Sequence, residues 1–117
     1  MRKVYYLSTC STSKRIIKDL DLASKNFDFQ DIKVESISLK QLEKLYQLAG
    51  SYEALFSRVA RKYKELGLKN LDLNESDYRN FLLEEYTFLK RPVVVIDDKI
   101  FIGSNKANLI KLAEAVG

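Results

Sequence analysis

Apolar and polar positions fall into short segments with distinct periods. Lys3 to Ser8 is rich in β-formers (Val4, Tyr5, Tyr6, Leu7) and reads as a buried strand. A small-residue loop follows, Ser8-Thr9-Cys10-Ser11. Ile16, Ile17, Leu20 and Leu22-Ala23 then recur at three- and four-residue spacing, which predicts a helix. Phe27, Phe29 and Ile32 stand against Asp28, Gln30 and Asp31, an alternation that predicts a second strand near 27–33. Ser38 can cap a helix whose apolar stripe runs Leu39, Leu42, Leu45, Tyr46, Leu48 until Gly50 stops it. Ser51 can cap the next helical stretch, with Leu55, Phe56, Val59, Ala60, Tyr63 and Leu66 ahead of Gly67, as one helix or as two with a kink. Asn74 caps another, with Tyr78, Phe81, Leu82 and Leu83 on its inner side. Pro92-Val93-Val94-Val95-Ile96, the turn Asp97-Asp98 and Lys99-Ile100-Phe101-Ile102 form the clearest hairpin in the chain. Ser104 or Asn105 caps the last helix, through Leu109, Ile110, Leu112 and Ala113.

The predicted order is β-α-β, a helical middle, then β-β-α. A parallel β-α-β unit and a hairpin with its helix can share one sheet. The expected fold is therefore α/β, a thioredoxin-like four-stranded mixed sheet with a helical subdomain inserted before the third strand. One domain over 1–117 is expected, with the insertion at approximately 38–86.

At 117 residues, 46% hydrophobic and 31% charged, the chain has the profile of one soluble globular domain. No apolar stretch approaches the roughly 18 to 20 residues needed to span a bilayer. The run Val4 to Leu7 is too short for a signal peptide, so a cytoplasmic protein is expected. The net charge of +4 is modest and argues against nucleic acid as a partner. The densest basic stretch, Arg58 to Lys64, reads as a solvated helix face rather than a phosphate-binding ridge.

One Cys and no His exclude an internal disulfide, a Ser-His-Asp triad, a Cys-His dyad and the usual zinc ligand sets. Cys10 lies after a strand and before a helix. There, backbone N–H groups and the positive end of the helix dipole favour thiolate over thiol. Lys14 and Arg15, one turn later, push the same way. A free Cys is most often a small buried hydrophobe, but the polar neighbours Ser8, Thr9, Ser11, Thr12 and Ser13 favour a reactive thiol here. Ser13 stands where a C-x-x-C motif carries its second Cys. An external thiol must therefore resolve any mixed disulfide. Ser13 either donates a hydrogen bond to the thiolate or is simply a first-turn residue. Pro92, at the head of its strand, is a tolerated first-strand proline, and the pattern alone favours a trans peptide.

These segments together resemble the glutaredoxin-coupled arsenate reductase family, with its Spx-type regulators and small thiol reductases. The landmarks are Tyr5-Tyr6-Leu7-Ser8-Thr9-Cys10-Ser11-Thr12-Ser13-Lys14, Ala54-Leu55-Phe56 through Tyr63-Lys64-Glu65-Leu66-Gly67-Leu68, and Lys90-Arg91-Pro92-Val93-Val94-Val95. The resemblance implies a cis peptide before Pro92, beside Cys10. It puts Cys10 at the nucleophile position and Arg91 at the arginine before the cis-proline. The candidate substrate- or anion-binding set is Lys14, Arg91, Ser13, Thr12 and Arg58. Departures from the family pattern are Tyr6 in place of its His, Lys14 in place of an Arg, and Ser57 and Ile102 at two further arginine positions. An arsenate dianion needs several bidentate donors.

Three functions follow as expectations. The first is a monothiol oxidoreductase in which Cys10 forms a mixed disulfide with glutathione or another small thiol, such as a bacterial equivalent. It would have no bound cofactor, Lys14 would lower the thiol pKa and Arg91 would hold an anionic substrate group. The second is an arsenate reductase proper, with glutaredoxin as a candidate partner. The third is a non-enzymatic Spx-like binding protein that docks through Arg58, Arg61, Lys62 and Lys64. Geometry must separate them. The loop Thr9–Thr12 and the turn at Arg91-Pro92 have to meet, which requires the first and third strands to be antiparallel neighbours. Otherwise Arg91 pairs with a surface carboxylate such as Glu84 or Glu85.

Overall fold

The computed structural model describes all residues from Met1 to Gly117. Its strands are β1 (Arg2–Tyr6), β2 (Asp28–Asp31), β3 (Val93–Ile96) and β4 (Lys99–Ile102). Its α-helices are α1 (Ser11–Asp19), α2 (Leu39–Ala49), α3 (Arg61–Glu65), α4 (Glu75–Glu84) and α5 (Lys106–Val116). Single 3-10 turns occur at Leu22–Ser24, Glu53–Leu55, Leu68–Asn70 and Tyr86–Phe88. The chain divides into two compact units, Met1–Glu35 with Arg91–Gly117, and Ser36–Lys90. No helix is long and apolar enough to cross a membrane.

The first unit holds the whole sheet, in the order β2-β1-β3-β4. β1 runs parallel to β2 and antiparallel to β3, and β3 runs antiparallel to β4. This is the thioredoxin-like arrangement that the element order predicts. The Val-Val-Val-Ile run of β3 is buried throughout, as a central strand with apolar residues on both faces must be. The Asp97-Asp98 turn holds Asp97 at φ 54°, a conformation that Asp tolerates better than most residues. On one sheet face Val4, Leu22, Val94, Ile96, Phe101 and Leu112 form the core, with Tyr6, Ile17, Leu20 and Phe29 packed against it. The Asn105 side chain caps α5, accepting the Asn108 N–H at 2.8 Å.

One alternation on β2 departs from expectation. Gln30, expected with the polar set, is buried at 2% exposure. Its Nε2 donates to the Glu35 carbonyl at 3.0 Å. A buried amide is tolerated when its polar atoms find partners, and the chain leaving β2 supplies this one.

The second unit is helical and its two main helices start as the sequence indicates. Ser38 and Gln41 form a reciprocal capping box on α2, at 3.0 and 3.1 Å, and Gly50 ends that helix at φ 89°. Asn74 and Asp77 do the same on α4. The helical stretch expected over 51–66 is not continuous. It holds only the 3-10 turn Glu53–Leu55 and the short α3, with an isolated β-bridge from Phe56 to Leu89 and a turn at Arg58-Val59 between them. Ser57 N–H donates to the Phe88 carbonyl at 2.7 Å and Lys90 N–H to the Leu55 carbonyl at 2.9 Å. This pairing with the segment after α4 takes backbone groups that a helix would need. Val59 and Leu66, expected on an apolar stripe, are accordingly 90% and 53% exposed. Phe56 instead anchors the unit, with its ring 4.8 Å from that of Phe88 and 4.9 Å from that of Tyr78.

Leu112 is fully buried in the core of the first unit. Leu112→Ala is expected to lower stability by about 2–5 kcal/mol, the usual range for a buried Leu→Ala, as measured by urea unfolding. A loss below 1 kcal/mol would show that α5 does not close this core.

Candidate functional site

The site begins with the end of β1. Leu7 follows the strand, and Cys10 N–H donates to the Leu7 carbonyl at 2.9 Å, closing a tight turn. Cys10 is then the N-cap of α1, with extended backbone at φ −97° and ψ 107°. Its carbonyl accepts the Lys14 N–H at 3.2 Å, the first bond of the helix. The sequence Ser-Thr-Cys-Ser produces this because small polar residues favour turns and caps over helix interior. The thiol is partly exposed.

Across the sheet, β3 lies antiparallel to β1, with Tyr5 opposite Val93. The start of β3 therefore adjoins the end of β1, and the Arg91-Pro92 peptide, which is cis, lies at the Cys10 loop. The Arg91 side chain reaches the Cys10 sulfur.

Five influences act on the thiol. Burial opposes ionisation and is the largest single one. Against it stand the Ser13 backbone N–H, the Ser13 hydroxyl, and the hydrogen bonding and positive charge of Arg91. Together they outweigh burial, and the Cys10 thiol sits below the ordinary cysteine value. The Ser13 N–H and hydroxyl lie near the sulfur without full hydrogen-bond geometry. The cap makes no side-chain bond, and the fully buried Ser13 Oγ has no satisfied partner. The Ser13 N–H, at the open N-terminus of α1, and the Arg91 guanidinium both favour the thiolate.

The structure thus brings Cys10, Ser13, Arg91 and Pro92 together. Thr12 occupies the second position of α1, partly buried. Lys14 lines a cleft with Tyr6, Ile17 and Phe29. Arg58 belongs to the helical unit, where its guanidinium bonds Glu53 at 2.5 Å and the Tyr78 hydroxyl at 2.9 Å.

Asp31 is a residue that the pattern did not single out. Its carboxylate accepts the Ser8 N–H at 3.3 Å and the Lys33 N–H at 3.2 Å. The Ser8 hydroxyl is the main cause holding it below the ordinary carboxylate value. Asp31 therefore ties the turn that carries Cys10 to the end of β2. Its only sequence signal is position: it closes a strand that pairs in register with β1, opposite Tyr6.

Fold and site define a thioredoxin-like domain with a single thiol at a strand-to-helix turn beside a cis-proline. Solved structures share this fold. An arsenate reductase from Vibrio cholerae matches at TM-score 0.77 and 22% identity, covering 94% of this chain and 95% of its own. An arsenate reductase related protein from Brucella melitensis matches at TM-score 0.69 and 23% identity, over 91% and 88% of the two chains. A protein of Staphylococcus aureus COL reaches 27% identity at TM-score 0.75, over 95% and 97%. No curated protein matches in sequence. The ArsC family model matches residues 5–112, so the chain belongs to the ArsC family.

Arg91→Met, which keeps the length of the stem and removes the charge, is expected to raise the Cys10 pKa. The rate of iodoacetamide alkylation against pH measures it. The wild-type midpoint should fall below the free-thiol value of about 8.5 and that of the variant should move up. Coincident profiles would show that the guanidinium does not act on the sulfur.

Asp31→Asn is expected to leave the overall fold intact and speed exchange of the Ser8 and Cys10 amides, read by hydrogen exchange. Because Asp31 is depressed in the folded state, its contribution is complete at neutral pH and is lost as pH falls through its lowered folded value. The variant should therefore differ from wild type at pH 7 and converge with it in acid. A constant difference down to low pH would remove the carboxylate from this role.

Proposed function

We propose that this ArsC-family protein is a monothiol oxidoreductase whose nucleophile is the Cys10 thiolate. The supporting observation is a lone thiol at a helix N-cap, under the charge of Arg91, with Ser13 at the place where a resolving cysteine would stand. The thiolate attacks one sulfur of a small-molecule disulfide. A bond forms between Cys10 and that sulfur, the old disulfide bond breaks, and the other half leaves as a thiolate. The chain has one Cys, so an external thiol must attack the mixed disulfide and restore Cys10. Arg91 serves an anionic group of the partner, such as a carboxylate, since a guanidinium offers a planar fork of donors. Glutathione carries such groups and is the first candidate.

Family membership together with Arg91 also supports an oxyanion substrate. Arsenate reduction with glutaredoxin as a partner is the second reading. The departures at Tyr6, Ser57 and Ile102 weigh against it, because a dianion stripped of water needs more than one guanidinium. A reduced Spx-like binding role is what remains if the thiol is inert.

Oxidised glutathione added to the reduced protein is expected to give one glutathionyl adduct, read by intact mass. The adduct should be absent in Cys10→Ser, slower in Arg91→Met and reversed by added thiol. Failure of the wild type to form it would overturn the monothiol reading. Arsenate-dependent thiol oxidation with glutathione and glutaredoxin in excess, lost in Cys10→Ser, would replace it with the arsenate reading.

A further inference from the structure

A second feature of the sheet-bearing unit stands apart from the thiol. Between α1 and the edge of the sheet lies a cleft of about 520 Å³, within the usual range of roughly 300–1,000 Å³ for small-molecule sites. Its apolar wall is Tyr6, Phe29, Ile17 and Ala23. The Tyr6 and Phe29 rings meet edge to face at 6.0 Å, on neighbouring strands. Cys10 does not line the cleft.

The polar part comes from α1 and the turn after it. Lys14, Ile17 and Lys18 follow the i, i+3, i+4 spacing that puts side chains on one helix face, and Asp21, in the left-handed region at φ 51° beyond the end of α1, completes the lining. Neither lysine takes part in an ion pair. The one carboxylate at the cleft, Asp21, accepts the Ser24 hydroxyl at 2.6 Å and is exposed. Two unpaired ammonium groups against one carboxylate leave an excess of positive charge at the mouth of an aromatic cleft. Lysine stems can cover apolar surface while their heads turn to a ligand.

We propose that this cleft is a binding site for a small aromatic carboxylate. Its apolar body lies against Tyr6, Phe29 and Ile17, and its anionic head lies between Lys14 and Lys18. The aromatic pair selects a flat body, because ring edges and faces pack best against another π-system. The two ammonium groups select a single anion rather than a neutral molecule. Lys14 thereby gains a role at the cleft, which Cys10 does not line.

The test uses the Cys10→Ser protein, so that its outcome is independent of the thiol chemistry proposed above. 2-Naphthoate is titrated against the labelled protein and followed by backbone amide NMR, with neutral 2-naphthalenemethanol as the comparison. Naphthoate is expected to shift the amides of Tyr6, Ile17, Lys18 and Phe29 saturably. The alcohol should bind roughly two- to tenfold more weakly, as expected for one or two partly exposed charge contacts. Lys14→Gln/Lys18→Gln should bring naphthoate down to the affinity of the alcohol. Ala23→Trp, at an exposed position on the cleft wall, should abolish both by filling the space while leaving the rest of the spectrum unchanged. The assignment is overturned if no saturable shifts appear, if they map elsewhere, if Ala23→Trp leaves binding intact, or if acid and alcohol bind equally well to the unsubstituted cleft.

Discussion

The antiparallel pairing of β1 with β3 is the constraint on which the thiol site depends. It places the end of one strand beside the start of the other, although about eighty residues of chain separate Cys10 from Arg91. The pairing is strong for ordinary reasons. β3 is four apolar residues buried on every side, and its neighbours β1 and β4 complete its backbone hydrogen bonds. A slip by one residue would turn Val94, which belongs to the core with Val4, to the opposite face. Register and site geometry are therefore fixed by the same packing.

With that register in place, the chemistry of Cys10 is a contest between two effects of its position. Partial burial disfavours the charged sulfur, while the open end of α1 and the Arg91 guanidinium favour it. The second pair prevails. Both members act without requiring a histidine, which the chain does not have. Tyr6, four residues before the thiol, has its ring on the apolar wall of the neighbouring cleft. The orphaned hydroxyl of Ser13 fits the same picture, since a buried hydroxyl without a partner gains most when the sulfur beside it carries charge.

The helical unit shows a different balance. Its helices α2 and α4 are set locally, by reciprocal capping boxes at Ser38–Gln41 and Asn74–Asp77. Between them the chain departs from helix because Leu55 and Ser57 pair with the backbone at Lys90 and Phe88. Phe56 then fills the interior with four aromatic neighbours, Tyr63, Tyr78, Phe81 and Phe88. Helix propensity amounts to tenths of a kcal/mol per residue, whereas burying one Phe is worth about 1.5–3 kcal/mol. Packing decides.

Periods, caps and turns are local properties, and the sequence by itself determined what they control: the four strands, the Ser38 and Asn74 caps, a cap for the last helix at Ser104 or Asn105, the Asp97-Asp98 turn, and Cys10 at a strand-to-helix junction. The order of those elements also sufficed for the thioredoxin-like sheet, because chain connectivity leaves few ways to join a β-α-β unit and a hairpin. Three things were decided only in the folded chain. Arg91 acts on Cys10 while Lys14 lines the neighbouring cleft, because a long flexible side chain goes where neighbouring walls and charges direct it, and spacing along the chain carries no record of that. Gln30 is buried because the Glu35 carbonyl happens to meet its amide. Asp31 braces the Cys10 turn because parallel pairing sets the end of β2 beside the end of β1. Each is a meeting of residues distant in sequence or free in rotamer, and such meetings are fixed by tertiary packing alone.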